Sequence, residues 1–225
     1  MSEENKSAML VGASGLVGNQ LLNYLLEGSN YKVVKVFVRK RISIEHPKLE
    51  QVVGDFDRLE TYKGHFQVDD LYCCLGTTIK KAGSQENFRK VDYEYPITLC
   101  KMAKESGVQR LLIVTALGAN AKSRVFYSRI KGEVEEELKI IGVPSLHIFQ
   151  PSLLVGKRNE FRFGEKIATW LSSLLHVLLF GRLRKYRAIN ARDVAFAMFT
   201  VGQSPQVGIF TYPSDQIERL AFFGR

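Results

Sequence analysis

Cysteine is scarce in this chain, and its shortage narrows the reading at once. Only Cys73, Cys74 and Cys100 occur in 225 residues. None forms a C-x-x-C pair or joins a His/Cys cluster, which excludes a disulfide scaffold and a zinc ribbon. Buried thiols in a reducing compartment, the cytoplasm, are expected, and no metal. Long apolar runs are missing too: the longest, residues 170–180, is 11 residues with two serines and a histidine. That is too short to cross a bilayer, so stable membrane insertion is not expected. The opening MSEENKSAML is polar and acidic, without the apolar core of a signal peptide. Acidic residues are in deficit, 23 against 32 Lys and Arg, a net charge of +9. The excess comes with no helix-turn-helix, no zinc signature and no basic stripe interleaved with aromatics, so nucleic acid is not expected as a partner. A phosphorylated cofactor or an acidic substrate would use the same charge locally.

What is present fits one domain. The chain is 45% hydrophobic and long enough to bury roughly 70% of its unfolded surface without staples. Its first landmark is Gly12-Ala13-Ser14-Gly15-Leu16-Val17-Gly18. This turn follows an apolar strand at 8–11 and leads into apolar residues 17, 21, 22, 25 and 26, a helical period. A glycine turn between first strand and first helix lets the backbone pass close to a pyrophosphate. The helix start then offers free N–H groups and a partial positive charge. A second strand, 32–38, ends at Arg39-Lys40. Sheets that bind NAD usually place an acid there for the ribose 2′-hydroxyl, whereas cations suit the 2′-phosphate of NADP(H).

Strand and helix then alternate. Residues 49–53 make a third strand closing on Gly54-Asp55-Phe56, where Asp55 either accepts from an adenine amino group or starts a turn. Residues 71–75 make a fourth, closing on Gly76-Thr77-Thr78, small enough to lie beside a ribose. A helical region, 84–106, is expected to break or kink near Pro96. Strand five, 110–115, ends at Thr115, and a helix over 123–141 carries Tyr127 and Lys131. At i, i+4 they share a face, and an ammonium near a phenol favours the phenolate, which makes Tyr127 a usable acid–base group. A second such pair, Tyr31 and Lys35, lies on a strand and shares no helical face. Strand six, 144–149, is expected to pack His147 inside the sheet. A helix or two over 161–180, a short strand near 188–190, a helix over 193–199 and a strand over 207–213 follow. Ser214 is expected to cap a closing helix. The apolar stripe and basic cluster of 168–187 fit a helix packed on the core, a self-association face (a homodimer) or, more remotely, a membrane surface.

Together these residues resemble the short-chain dehydrogenase/reductase family in its atypical branch. The glycine turn, Gly54-Asp55-Phe56, Tyr127 with Lys131, and Pro151-Ser152 carry the likeness. Leu75-Gly76-Thr77-Thr78 with Ala82-Gly83, Phe88, Val91-Asp92 and Leu117-Gly118-Ala119 are similar to the Tat-interacting-protein-like subgroup. The resemblance implies a single doubly wound α/β Rossmann-like domain with a mainly parallel central sheet and helices on both faces. Residues 1–155 would form the dinucleotide-binding core, and 156–225 the substrate-side helices and final strand and helix. It implies that Ser14, Gly15, Leu16 and Val17 meet the cofactor phosphates, with Gly12 and Gly18 also part of the cofactor site, and that Arg39 and Lys40 meet the 2′-phosphate. Asp55, Phe56, Leu75, Gly76, Thr77, Pro151 and Leu154 would complete the NADP(H) site, with Lys131 on the nicotinamide ribose. Catalysis would fall to Tyr127 and Lys131, with Thr115 orienting the carbonyl of a small-molecule substrate where the family usually has serine. The alternative is a redox-inactive NADPH-binding regulatory or interaction protein.

Overall fold

The computed structural model describes residues 6–156 and 181–224. Its sheet is built from β1 (Lys6–Val11), β2 (Tyr31–Val38), β3 (Leu49–Val53), β4 (Asp70–Cys73), β5 (Arg110–Val114), β6 (Ser145–Gln150) and a last strand, β9 (Gly208–Pro213). A separate parallel pair joins β7 (Leu154–Val155) to β8 (Ile189–Asn190). The order across the main sheet is β3-β2-β1-β4-β5-β6-β9, and every neighbouring pair is parallel. The winding therefore reverses between β1 and β4, and the carboxyl ends of those two strands open the crevice where such sheets bind ligands. β5 is buried at all positions and β1 at its last four, the continuous apolar run of strands covered on both faces.

Two layers do the covering. On one face, Val17, Leu21 and Leu25 of α1 (Leu16–Glu27) meet Val194 and Met198 of α6 (Ala191–Gly202) over Ala8, Leu10, Val34 and Val36. On the other, Leu99 of α4 (Tyr95–Glu105) and Val134 and Leu138 of α5 (Phe126–Ile141) cover Met9, Val11, Leu71 and Ile113. Leu59 and Phe66, from a 3-10 segment at Phe56–Phe66, close that layer. Two short helices, α2 (Ile79–Ala82) and α3 (Gln85–Arg89), precede α4, and α7 (Ser214–Phe223) ends the described chain.

The amino-terminal edge of the sheet, away from the crevice, is held by a buried polar cluster. Arg110 Nη1 donates to Asp70 Oδ1 at 2.9 Å and to the Gly202 carbonyl at 2.8 Å, and Nη2 reaches the Ser204 carbonyl at 2.6 Å. Tyr31 donates to Asp70 Oδ2 at 2.6 Å, with the Tyr72 hydroxyl 2.8 Å away. Gly202 is required there, because a Cβ would fall 1.9 Å from the Tyr72 hydroxyl. The cluster ties the end of α6 to β4 and β5.

His147 is fully buried, with Ser145 Oγ 2.8 Å from Nε2 and Tyr212 Oη 3.0 Å from Nδ1. Burial, and more weakly Arg110, pushes its pKa down to about 4.

Two local expectations are corrected, and at Pro96 the milder of the two expected outcomes holds. The helix is not broken there; α3 runs through a π turn, Lys90–Glu94, into α4. Proline has no N–H to give to the carbonyl four residues back, and the wider turn sits just before it, closed by the Tyr95 N–H on the Lys90 carbonyl. Ser214 does not cap the last helix. Pro213 holds the cap position without a side-chain bond, and Ser214 Oγ instead meets Ser152 Oγ at 3.0 Å. The helix after β5 starts at Phe126, because residues 116–125 are taken up by bonded turns. The helices expected over 161–180, and with them most of the 168–187 stripe, lie outside the described residues.

The β7/β8 pair sits close to that Ser152–Ser214 contact. Ile189 N–H donates to the Leu153 carbonyl at 2.9 Å, and Ser152 Oγ donates to the Arg187 carbonyl.

Candidate functional site

The glycine turn lies directly on the switch point. Gly12 has φ +91°, and a Cβ there would stand 2.6 Å from the carbonyl carbon and oxygen of Cys74, at the end of β4. A Cβ on Gly18 would fall 2.1 Å from the Gly12 carbonyl oxygen, and one on Gly15 3.1 Å from it. The turn is closed by Gly15 N–H on the Gly12 carbonyl at 2.9 Å. α1 then begins with Gly15 as a cap that offers no side-chain acceptor, and its first turn holds no acid. Such a helix start leaves N–H groups and a positive dipole end open to an anion. Ser14 is exposed, Leu16 half-buried and Val17 buried. These residues fit a dinucleotide's phosphates.

Arg39 and Lys40 follow β2 directly and are exposed, and among the described residues no carboxylate forms an ion pair with either. Asp55 starts a turn: its carboxylate accepts the Asp57 N–H at 3.0 Å and caps the 3-10 segment. The side chain is exposed at the end of β3, so the cap leaves it on the crevice side. Phe56 stands edge-on to Phe37 at 5.0 Å and against Tyr95 at 5.3 Å. Leu75, Gly76 and Thr77 follow β4. Pro151 is buried and its carbonyl accepts the Leu117 N–H at 2.9 Å, while Leu154 is half-buried in β7.

The two residues expected to act as acid and base come from α5, whose start is fixed by close packing. A Cβ on Gly132 would overlap the backbone of Asn120 and Ala121 at 2.1–2.2 Å, so α5 is pressed onto the loop after β5. Tyr127 is half-buried, its ring 5.5 Å from that of the fully buried Phe88. Lys131 is buried, with Nζ 2.6 Å from Asp92 Oδ1. Burial pulls the ammonium's pKa down, but Asp92, then Tyr127, push it up, and the net direction is upward. The other oxygen of Asp92 accepts the Thr77 N–H at 2.9 Å. Lys131 is therefore one carboxylate away from the loop at the carboxyl end of β4, over which the glycine turn crosses.

Thr115 needs a correction. Its hydroxyl donates to Glu135 Oε1 at 2.5 Å and leans on the Phe149 carbonyl at 3.4 Å. A hydroxyl has one proton to give, and this one is engaged inside the protein, so Thr115 does not offer a donor to a substrate carbonyl. Glu135, also buried, takes two further bonds from Gln150 Nε2 at 3.0 and 2.9 Å. Burial raises its pKa, against the lowering by Thr115 and Gln150.

Asp92, Glu135 and Gln150 are polar residues at this site for which sequence reasoning named no role. The signal for Glu135 was its place four residues after Lys131 on the face that carries Leu138, inside an acidic run that otherwise reads as solvated. Asp92 had only its place in Val91-Asp92.

Fold and site together define a nicotinamide-dinucleotide-binding protein of the Rossmann type. Residues 12–139 match the NAD(P)H-binding family, and the chain belongs to it. It is 34% identical over 169 residues to Protein HTATIP2 of Rattus norvegicus, covering 73% of this chain and 69% of that protein. To Protein FMP52, mitochondrial, of Eremothecium gossypii it is 32% identical over 172 residues, 76% of this chain and 77% of that one. These relatives bear out the likeness to the Tat-interacting-protein-like subgroup. Among solved structures, the Bordetella bronchiseptica enzyme WbmH in complex with NAD+ superposes with a TM-score of 0.67 at 18% identity, covering 92% of this chain and 74% of that one. That likeness establishes the fold. Among the described residues no helix is long and apolar enough to cross a membrane, and no group of His, Cys, Asp and Glu forms a metal site.

Proposed function

We propose that this chain is an NADPH-dependent oxidoreductase that reduces a small carbonyl compound, with Tyr127 as proton donor. One observation carries the reading. The glycine turn, the end of β4 and the Thr77–Asp92–Lys131 connection join the phosphate end of the crevice to a buried lysine on the helix that bears Tyr127. When bound, the nicotinamide supplies the hydride. Tyr127 holds the proton that the carbonyl oxygen takes up, and the neighbouring ammonium stabilises the phenolate left behind. Lys131 also faces the nicotinamide ribose in this reading. Arg39 and Lys40 support NADPH over NADH, since bonds from guanidinium to phosphate are charge-assisted. The substrate is a small molecule; nucleic acid and membrane insertion have no part in it. The free thiols Cys73, Cys74 and Cys100 support a reducing compartment such as the cytoplasm.

The test begins with a screen of NADPH oxidation against aldehydes, ketones and quinones. With a substrate in hand, Tyr127→Phe is expected to lower turnover by roughly 10²–10⁴ and leave NADPH affinity nearly unchanged. Full activity in that variant overturns the mechanism. A second reading, a redox-inactive NADPH-binding regulator, is favoured by the engaged Thr115 hydroxyl, which removes a second donor from the carbonyl. Tight NADPH binding with no turnover across the screen would establish it.

A further inference from the structure

We propose that Asp92 is the positioning residue of this site: one carboxylate oxygen fixes the Lys131 ammonium, the other fixes the 75–78 loop, and a single group thereby sets both cofactor seating and proton chemistry. The inference rests on the NADPH reading above and assigns a role to a residue outside it. Each oxygen has its own partner: Oδ1 lies 2.6 Å from Lys131 Nζ as an ion pair, and Oδ2 accepts the Thr77 N–H at 2.9 Å. The carboxylate is wholly buried, its side chain 0% exposed, and that of Lys131 is 5% exposed. Removing two charges from water costs more than an ordinary helical aspartate recovers, so this position is built for the pair. The π turn at Lys90–Glu94 carries the residue. A wider turn shifts the phase of the helix by one residue, and such bulges recur where a side chain must be aimed.

The charges around Lys131 are few. From its own helix come Tyr127 and Glu135; from β4 comes Cys73; from the π turn comes Asp92. Glu135 is engaged by Thr115 and Gln150. Burial pushes the Cys73 thiol up to about 11, so it is neutral. Asp92 is therefore the charge in direct contact with the ammonium among the described residues. Without it, the Lys131 ammonium loses the largest of the influences that hold its pKa up and gives up its proton at lower pH.

Asp92→Asn keeps the shape and an acceptor for Thr77 while deleting the charge. NADPH affinity, followed by fluorescence from neutral into alkaline pH, reads the consequence without needing a substrate. The wild-type protein is expected to hold its affinity until Lys131 loses its proton. In Asp92→Asn the fall should begin at least about one pH unit earlier, so that the variant binds about tenfold more weakly where the wild type is still unaffected. Lys131→Met should bind weakly at all pH with no such fall. A folded Asp92→Asn with the wild-type profile overturns the proposal. If wild-type protein does not bind NADPH, the cofactor reading fails instead, and that control is measured first. Should Asp92→Asn be too unstable to assay, thermal melts of Lys131→Met and of Lys131→Met with Asp92→Asn decide. The double variant is expected to melt higher, because Lys131→Met strands a buried carboxylate. No recovery overturns the pairing.

Discussion

Replacing the three glycines of the first turn by alanine, one at a time, separates folding from ligand binding. At Gly18 the new Cβ would stand 2.1 Å from the Gly12 carbonyl oxygen, backbone against backbone. The turn or α1 must move by about an ångström, which is severe overpacking at about 3 kcal/mol or more. At Gly12 two costs combine. A φ of +91° is one that side chains rarely adopt, and the Cβ would meet the Cys74 carbonyl at 2.6 Å; about 2–4 kcal/mol is expected. Gly15 differs, with φ −78° and 3.1 Å to the nearest oxygen. A few tenths of an ångström of relaxation suffice, and the loss is the cap preference of Gly over Ala, about 0.5–1 kcal/mol. Against a total stability of about 5–15 kcal/mol, the first two are large and the third small. Urea unfolding should therefore rank midpoints as wild type, then Gly15→Ala, then Gly12→Ala and Gly18→Ala. NADPH affinity should nevertheless fall about tenfold or more in Gly15→Ala, because the methyl stands at the open start of α1 where the phosphates would lie. A Gly18→Ala protein with the wild-type midpoint and slope would refute the packing argument. A stable Gly15→Ala with undiminished NADPH affinity would refute the placement of the phosphates.

Further expectations concern single side chains. Arg39→Ala should reduce the preference for NADPH over NADH, expected at about 1–3 kcal/mol, when both are titrated at one ionic strength; an unchanged ratio would remove Arg39 from the site. His147 is held neutral, with its pKa lowered to about 4 from an ordinary value of 6.5. The unfolded chain binds the extra proton first, so this group's contribution is complete above about pH 6.5 and is lost as pH falls toward about 4, on the order of 3 kcal/mol. The difference in stability between wild type and His147→Phe, measured across that window, should carry this slope; a flat difference would contradict it. Asp70→Ala leaves Arg110 buried with only carbonyl partners and should cost about 3–5 kcal/mol in chemical denaturation, and a loss below 1 kcal/mol would show that the cluster is solvated.

The parts of this molecule that were legible in sequence are those whose cause is local. Gly12, Gly15 and Gly18 stand within one turn, and the 3.6 period of residues 17–26 sits beside them. The alternation that follows has few solutions other than a parallel sheet. Of the candidate site, the part legible in sequence is the pair that shares one helix, Tyr127 and Lys131. The site was not legible where partners are distant in sequence. Nothing near Asp92 announces a lysine 39 positions later, and the π turn that carries it has no composition of its own. Glu135 lies in a run of acids that reads as solvated, and only its phase relative to Leu138 places it inside. Ser214 shows the opposite failure. A serine before a helical pattern is a sound capping signal, yet tertiary contact with Ser152 took its hydroxyl first.

The short β7/β8 pair has a consequence for the glycine turn. Leu154 stands opposite Ile189 and Val155 opposite Asn190, with Ser152 bonded across to the Arg187 carbonyl beside them. Segments 35 positions apart are thus clamped side by side through bonds made largely by main-chain groups, which every residue but proline can supply. Gly156, just past β7, lies against Leu16, with 3.0 Å between the Leu16 methyl and a would-be Cβ. The clamp therefore holds a glycine against the first residue of α1, and a larger residue at 156 would press on the glycine turn from outside it.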